Sequence, residues 1–397
     1  MHRDFYLSNE QLVDITARMA EKTRKGLETD GEEISCIPTF VPLENIPEHG
    51  RLVALELGGT NIRCAQLTLD NGGLRIEKGP IKEALTNRQK RRMLREDFLG
   101  RLAGVIHRVS PDPNLPLGYC FSYPSEPTRD GDAVLLRWTK EFSVVDTVGR
   151  KVGRMLCRYL SRGNSPWQCR RVRVINDTVA ALAAGMGVSE ADAYIGLVVG
   201  TGTNMAVLLK PFLIPKISGA AQPSYALPVN LESGNFNPPY LTEWDKKLDA
   251  ASYRPGQHLL EKAVAGRYLA ELLKLRMPAC RIDPSQGGAA VFDKAYGSSA
   301  ASGGESRLAR QIIERSARLV AASLAGVISM MARQCPLRKI VITAEGSVFW
   351  GHPAYKKTAE AALQDLLGAM GMPEIDFEFV SVEHANLLGI AISCLAG

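Results

Sequence analysis

Several short motifs that would settle a function at once are missing. No Gly-Lys dipeptide occurs anywhere in the 397 residues, so there is no Walker-type phosphate loop. His-Glu-x-x-His and Gly-x-Ser-x-Gly are also absent, which removes the zinc-protease helix and the nucleophile elbow. Gly200-x-Gly202 lacks the third glycine of a dinucleotide fingerprint. The eight cysteines form no Cys-x-x-Cys pair, which argues against paired metal ligands and a disulfide framework and for reduced thiols in the cytoplasm. The stretch Met1 to Tyr6 has no apolar core of a secretory signal, and no lipidation or retention motif ends the chain at Cys394 to Gly397. The longest apolar run, Leu319 to Ala332, is too short for a membrane span and reads as a buried helix. A formal charge of +6 is too modest to mark a nucleic-acid protein.

What is present is the composition of a soluble globular protein, 45% apolar and 23% charged, long enough for two domains. The chain is organised around Leu52 to Asn61. Leu52, Val53, Ala54, Leu55 and Leu57 form the apolar run of a strand buried on both faces, with one carboxylate, Glu56, near its end. Gly58 and Gly59 then remove side chains where the strand turns, and Thr60 and Asn61 add a hydroxyl and an amide. Such a turn either closes an ordinary hairpin or presents N–H groups to a phosphate while the carboxylate reaches a metal ion. The pattern returns at Ile195 to Val199 followed by Gly200-Thr201-Gly202-Thr203-Asn204. Two such turns can face each other across a cleft between related halves.

The remaining segments fill in around these turns. Ser8-x-x-Gln11 reads as a capping box, with Leu12, Ile15 and Met19 on one helical face and Gly26 as the stop. Ala65 to Asp70 and the turn Asn71-Gly72-Gly73 complete a hairpin. Arg88, Lys90, Arg91, Arg92, Arg95, Arg101 and Arg108 interleave with Met93, Leu94, Phe98, Leu102, Val105 and Ile106 at helical spacing, the pattern of a solvated helix face rather than a nucleic-acid helix. Leu117 to Pro124 is a strand running into a turn, and Arg171 to Ile175 is a strand ending in Asn176-Asp177-Thr178, from which an Ala-rich helix runs to Gly185-Met186-Gly187. Asp177 reads equally as a helix N-cap and as a general base beside a substrate hydroxyl. A helix is expected from about Gln257 to Arg276, in which Glu261 is a surface residue or a ligand. Gln286 to Ser306 reads as a flexible loop, and a strand at Lys339 to Thr343 leads into Ala344-Glu345-Gly346-Ser347.

Taken in order, these segments resemble the hexokinases, sugar kinases of the actin-like ATPase superfamily, over nearly the whole chain. Leu55 to Asn61 looks like the first phosphate loop and Gly200 to Asn204 like the second. Ser122-Tyr123-Pro124 with Trp138-Thr139-Lys140 resembles the sugar-binding signature. Asn176-Asp177-Thr178 resembles the catalytic strand end. Asn230-x-Glu232-x-Gly234 and Leu260-Glu261-Lys262 resemble the segments that finish the sugar site. The resemblance implies an α/β, two-lobed actin-like ATPase (ribonuclease H-like) fold with a cleft between a small and a large domain. The small domain would span 51–177 plus the C-terminal helix 383–397, and the large domain 1–50 and 178–382.

It further implies phosphorylation of a hexose, glucose foremost, at its 6-hydroxyl by ATP with Mg²⁺. Asp177 would take the hydroxyl proton and Lys140 would hold charge near the reacting groups. Ser122, Thr139, Lys140, Asn176, Asp177, Asn204, Glu232 and Glu261 would contact the sugar. Gly58, Gly59, Thr60, Asn61, Gly200, Thr201, Gly202, Thr203, Gly346 and Ser347 would hold the nucleotide, and Glu56 the metal. The expected partners are the hexose and ATP, with no nucleic acid and no membrane, in a monomer or homodimer. Three departures from the family pattern stand out: Glu56 where Asp is usual, Glu345-Gly346-Ser347 for Asp-Gly-Ser, and Glu383-His384-Ala385-Asn386 for a Ser-Gly motif. They leave room for a catalytically weak sugar sensor or a kinase of another sugar.

Overall fold

The computed structural model describes the chain apart from residues 1–3, 44–45, 47, 59–60, 72, 85–91, 140–141, 163–166, 170, 219–221, 281, 285–302, 334 and 397. Helix α1 (Asn9–Glu28) opens on the expected capping box: Gln11 N–H donates to Ser8 Oγ and Ser8 N–H to Gln11 Oε1. Gly26 does not stop this helix. It lies inside it, where an added Cβ would stand 1.8 Å from the Ile34 carbonyl oxygen, so glycine lets the returning chain pass. The short strand β1 (Ile37–Pro38) follows.

Strands β2 (His49–Leu57), β3 (Asn61–Asp70) and β4 (Gly73–Ala84) form an antiparallel meander. Helix α2 (Arg95–Val109) buries Phe98, Leu99, Leu102, Val105 and Ile106 on it. Met93 and Leu94 precede the helix instead of belonging to it: Met93 bridges to Val144, and Leu94 is the exposed N-cap. The basic residues Arg88, Lys90 and Arg91 lie outside the described residues, whereas Arg101 and Arg108 converge on Glu83 of β4, which makes their face a structural ion cluster. Strand β5 (Leu117–Phe121) runs parallel to β2; a small ribbon, β6 (Ser125–Pro127) with β7 (Ala133–Leu135), and helix α3 (Val152–Leu160) lead to β8 (Val172–Ile175), parallel to β5. The sheet order is β4-β3-β2-β5-β8.

After α4 (Asp177–Met186) the plan repeats. Strands β9 (Ala193–Val199), β10 (Thr203–Leu209) and β11 (Leu227–Asn230) are antiparallel. Helices α5 (Glu243–Ala251), α6 (Leu259–Val264), α7 (Gly266–Arg276) and α8 (Gly304–Ala332) follow, then β12 (Lys339–Glu345), α9 (Ser347–Gly351), α10 (Tyr355–Ala369), β13 (Asp376–Val380) and α11 (Ala385–Leu395). Strands β12 and β13 are parallel to β9, and the second sheet reads β1-β11-β10-β9-β12-β13. Leaving β1 aside, both sheets carry their strands in the order third, second, first, fourth, fifth. The echo between the two glycine turns is therefore a repeat of topology.

Two expected boundaries shift. The helix from Gln257 to Arg276 is two helices broken at extended Ala265, and the break frees the Gly266 N–H to donate to the Gly200 carbonyl at 2.8 Å. Of the expected loop at Gln286 to Ser306, residues 286–302 lie outside the described residues, and Ser306 is already in α8. The buried run Leu319 to Met331 sits inside α8, and no helix among the described residues is long and apolar enough to cross a membrane.

One hydrophobic core lies under the first sheet with α2 and α3, and another around the second sheet with α1 and α8. Between them a third cluster is built from α4 and α11. The alanines of α4 are explained by how closely its neighbours approach. A Cβ on Gly196 of β9 would lie 2.1 Å from the Thr178 oxygen, and one on Gly389 of α11 would lie 1.9 Å from the Ala180 oxygen. Helix α4 is thus wedged between the second sheet and α11 at near-backbone contact.

Candidate active site

The registers place the key residues together before any side chain is considered. In the first sheet Leu57 pairs with Phe121 and Cys120 with Ile175, so Gly58, Ser122 and Asn176 follow the carboxyl ends of three adjacent parallel strands. Ser122 N–H donates to the Leu57 oxygen at 3.2 Å, and Gly58 N–H to the Asn61 oxygen at 3.0 Å. In the second sheet Val198 pairs with Glu345, which puts Gly200 and Gly346 at the matching edge. Open α/β sheets bind ligands at that edge. Ser122 and Thr139 are half-buried there. Beneath them Trp138 packs edge-on against Tyr123 and Phe142, which are tilted to each other, and Trp138 Nε1 donates to Thr147 Oγ1 at 2.9 Å.

A continuous polar network runs from α4 to the second sheet. Asn176, not Asp177, is the N-cap of α4, its Oδ1 accepting from Thr178 N–H at 2.9 Å and Thr178 Oγ1 at 2.6 Å. Asp177 is the first helical residue and half-buried. Its Oδ1 accepts from Thr178 N–H at 2.9 Å, and its Oδ2 takes no hydrogen bond among the described residues. Asn204 Nδ2 donates to Asn230 Oδ1 at 2.7 Å, Asn230 Nδ2 to Glu232 Oε1 at 2.8 Å, and Ser233 N–H to Asn204 Oδ1 at 3.1 Å. Glu232 holds a left-handed backbone, φ 57°, at the bend that brings its carboxylate back onto Asn230. Glu261 reaches in from α6, and its Oε2 accepts from Thr203 N–H at 3.2 Å.

The second glycine bend is braced on three sides. Gly200 N–H donates to the Gly202 oxygen at 2.9 Å, the Gly200 oxygen accepts from Gly266, and a Cβ on Gly202 would meet Glu261 Oε2 at 2.6 Å. Gly346, at φ +113°, passes so close that a Cβ would stand 2.3 Å from the Val199 oxygen. Thr201 is exposed at the tip, and Ser347 opens α9. The Thr203 hydroxyl donates to the Val198 oxygen at 2.9 Å, and both Thr203 and Asn204 belong to β10 rather than the turn. The expected sites Gly59, Thr60 and Lys140 lie outside the described residues; Asn61 begins β3.

Glu56 sits in a carboxylate-rich corner. Its Oε1 accepts from Asn386 Nδ2 at 3.1 Å, while Oε2 is buried, 3.2 Å from Arg63 Nη1, and takes no hydrogen bond. Glu345 faces it from β12. Burial first, and then the Glu56 charge, push the Glu345 carboxyl up to about 7, against a smaller opposite pull from Arg63. Two facing carboxylates with an open buried oxygen fit a hard divalent cation. No group of three or more His, Cys, Asp or Glu stands ready to cage a metal among the described residues, so such an ion would take most of its ligands from phosphate and water.

Sequence reasoning missed Arg63, Asn386 and Thr178 as parts of the site. Arg63 was legible from the hairpin, because it lies directly opposite Glu56. Asn386 belongs to the segment that departs from the family pattern, and no local signal ties it to a carboxylate 330 residues away.

Comparison with known proteins agrees along the whole chain. Two hexokinase family models match residues 1–186 and residues 194–280 with 305–396. Hexokinase-7 of Oryza sativa subsp. japonica is 29% identical over 90% of this chain and 88% of its own length. Hexokinase-2 of Solanum tuberosum is 29% identical over 95% and 85%. A solved hexokinase from Schistosoma mansoni complexed with glucose superposes with a TM-score of 0.78 at 24% identity, covering 98% of this chain and 96% of that one. A ROK family glucokinase from Streptomyces griseus, in complex with glucose and AMPPNP, superposes with a TM-score of 0.54 at 17% identity over 86% and 98%. The structural likenesses establish the two-lobed actin-like architecture; the family models and curated relatives establish the rest. The chain belongs to the hexokinase family and is a sugar kinase, a phosphotransferase with an alcohol group as acceptor.

Proposed function

We propose that this enzyme transfers the γ-phosphate of ATP to the 6-hydroxyl of a hexose, with D-glucose the first candidate, in the cytoplasm. Asp177 carries the reading: its Oδ2 takes no hydrogen bond among the described residues, and its neighbours Asn176 and Thr178 join it to the Asn204–Asn230–Glu232 network. In that position Asp177 accepts the proton of the 6-hydroxyl as its oxygen attacks the γ-phosphorus. Asn176, Asn204, Glu232 and Glu261 hydrogen-bond the sugar from one side of the cleft, and Ser122 and Thr139 from the other. A hexose, with donor and acceptor at every hydroxyl, suits this mixture of amides, hydroxyls and carboxylates. Lys140 holds charge near the reacting oxygens.

The bends at Gly58 to Asn61 and Gly200 to Thr203 grip the phosphates, and Gly346 and Ser347 flank the nucleoside. Glu56, with Glu345 beside it, would hold Mg²⁺ directly or through water. When bound, Mg²⁺ supplies charge neutralisation on the phosphate oxygens. One solved relative is complexed with glucose and another with glucose and AMPPNP, which supports the choice of ligands. Eight free thiols fit a reducing compartment.

Asp177→Asn tests the reading. A coupled ADP-release assay with glucose should show kcat reduced by about 10²–10⁴-fold, while calorimetry shows glucose still bound. Unchanged turnover removes Asp177 from the reaction. Glucose binding by the unsubstituted enzyme with no ADP release would replace the kinase with a sugar sensor, and turnover confined to another sugar would reassign the acceptor.

A further inference from the structure

The first lobe carries a ladder of arginines that its acidic neighbours balance only in part. Arg150, Arg154, Arg158 and Arg162 recur every four residues along α3 and its two ends, which stacks them on one face about 6 Å apart. With Arg95 and Lys151 they line a cavity of about 350 Å³ between α2 and α3, where Glu96 is the one acidic lining residue among the described residues. Glu96 is already engaged by Arg162 at 3.1 Å and by Arg95 at 3.7 Å. Lys151 pairs with Asp130 at 2.7 Å, and Arg150 Nε donates to the Asp146 oxygen. The exposed guanidiniums of Arg154 and Arg158 have neither ion pair nor hydrogen bond among the described residues. Arg154 also lines a neighbouring cavity of about 380 Å³ with Arg171 and Arg173, where Asp130 and Asp132 offset the charge, so the unbalanced face is the one toward α2.

This arrangement works against the helix that bears it. Like charges four residues apart on a helix repel and destabilise it. The first turn of α3 holds no acidic residue of its own; its N–H groups are met by the buried Asp132 carboxylate, to which Gly153 and Arg154 N–H donate at 2.8 and 2.7 Å. That leaves the guanidiniums of Arg154 and Arg158 without an acidic partner on their own face among the described residues. The contrast with α2 is direct, since its Arg101 and Arg108 share Glu83. A solvated basic face explains scattered lysines. It does not explain unpaired arginines converging on a concavity walled by Leu99, Met155 and Tyr159.

We propose that the α2–α3 groove binds a small polyanion carrying two or more phosphoryl groups, at a site separate from the sugar cleft. Guanidinium forks pair with phosphate oxygens in bidentate fashion, and rungs about 6 Å apart engage several charges at once, which a single phosphate cannot do. The cavity has the size of a small-molecule site and is too small for a nucleic-acid duplex. None of the cleft residues lines it.

Calorimetric titration with inorganic tripolyphosphate at low salt tests the proposal, with glucose and ADP saturating so that the cleft is filled. The full-length enzyme should bind tripolyphosphate at least about tenfold more tightly than orthophosphate, and the affinity should fall with salt. The double variant R154Q/R158Q should lose about tenfold or more of that affinity while kcat and KM for glucose and ATP stay unchanged. Its melting temperature without ligand should equal or exceed that of the unsubstituted enzyme, since repulsion has been removed; this separates a lost site from a damaged fold. Equal tripolyphosphate affinity in enzyme and variant overturns the proposal, as do equal affinities for tripolyphosphate and orthophosphate. Binding of RNA or anionic vesicles through the same arginines, without tripolyphosphate binding, also overturns it.

Discussion

Glu345 is raised first by burial and then by the charge of Glu56 on the other sheet, and this gives the site a pH signature at the scale of single residues. A carboxyl raised from its ordinary 4.5 to about 7 holds its proton more tightly in the folded protein than in the unfolded chain. The folded state therefore suffers no penalty from this group below pH 4.5. The penalty grows as pH rises and levels off above about 7. Glu345→Gln removes it. In buffer with a chelator, the melting temperature of Glu345→Gln should exceed that of the unsubstituted enzyme by an amount that widens from pH 4.5 to 7 and is constant beyond. A difference independent of pH would mean that the Glu345 carboxyl is not held above its ordinary value in the folded protein. Nothing in either segment alone reveals this pairing, because the two residues are brought together only when both sheets are formed.

At the scale of elements, α4 joins chemistry to architecture. Its first residue is Asp177, its body is alanine, and its neighbours press on it through glycine. Gly389→Ala places a methyl 1.9 Å from the Ala180 oxygen, so α11 must move away from α4. Overpacking of this kind costs about 1–3 kcal/mol even though alanine is the better helix former. Urea unfolding should show that loss, with kcat falling because α4 carries Asp177. Gly368→Ala on α10, where nothing lies within 4 Å of the added Cβ, serves as the control and should gain up to about 1 kcal/mol. Equal stabilities for both variants would mean the helices are not at contact.

The elements also show how far the sequence could be read. Strand ends with glycine, Asn176-Asp177 and the Ala-rich helix were legible because apolar runs and turn residues report local structure. The break at Ala265 was not, because Gly266 leaves the helix to reach Gly200, a partner more than sixty residues away. The choice of Asn176 over Asp177 as cap was equally hidden, since both residues cap helices well.

The whole molecule is two cores joined by one seam. The first sheet and the second each have their own apolar cluster, and the cluster shared between them is built chiefly from α4 and α11. The residues proposed to face the sugar divide in the same way: Ser122 and Thr139 belong to the first lobe, and Asn204, Glu232 and Glu261 to the second. A hexose that hydrogen-bonds to both sets gains its full complement of contacts only when the lobes approach, so binding energy is available to drive closure about the α4–α11 seam. Closure also expels water from around Asp177, which favours transfer to the sugar over transfer to water. Small-angle scattering should therefore record a smaller radius of gyration with saturating glucose than without it. The same contraction should occur in Asp177→Asn, which keeps the sugar contacts, and should be lost in Asn204→Ala, which removes the residue linking Asn230 and Ser233. Glucose binding measured by calorimetry with no change in radius would show that the seam is rigid and that water is kept out by some other means.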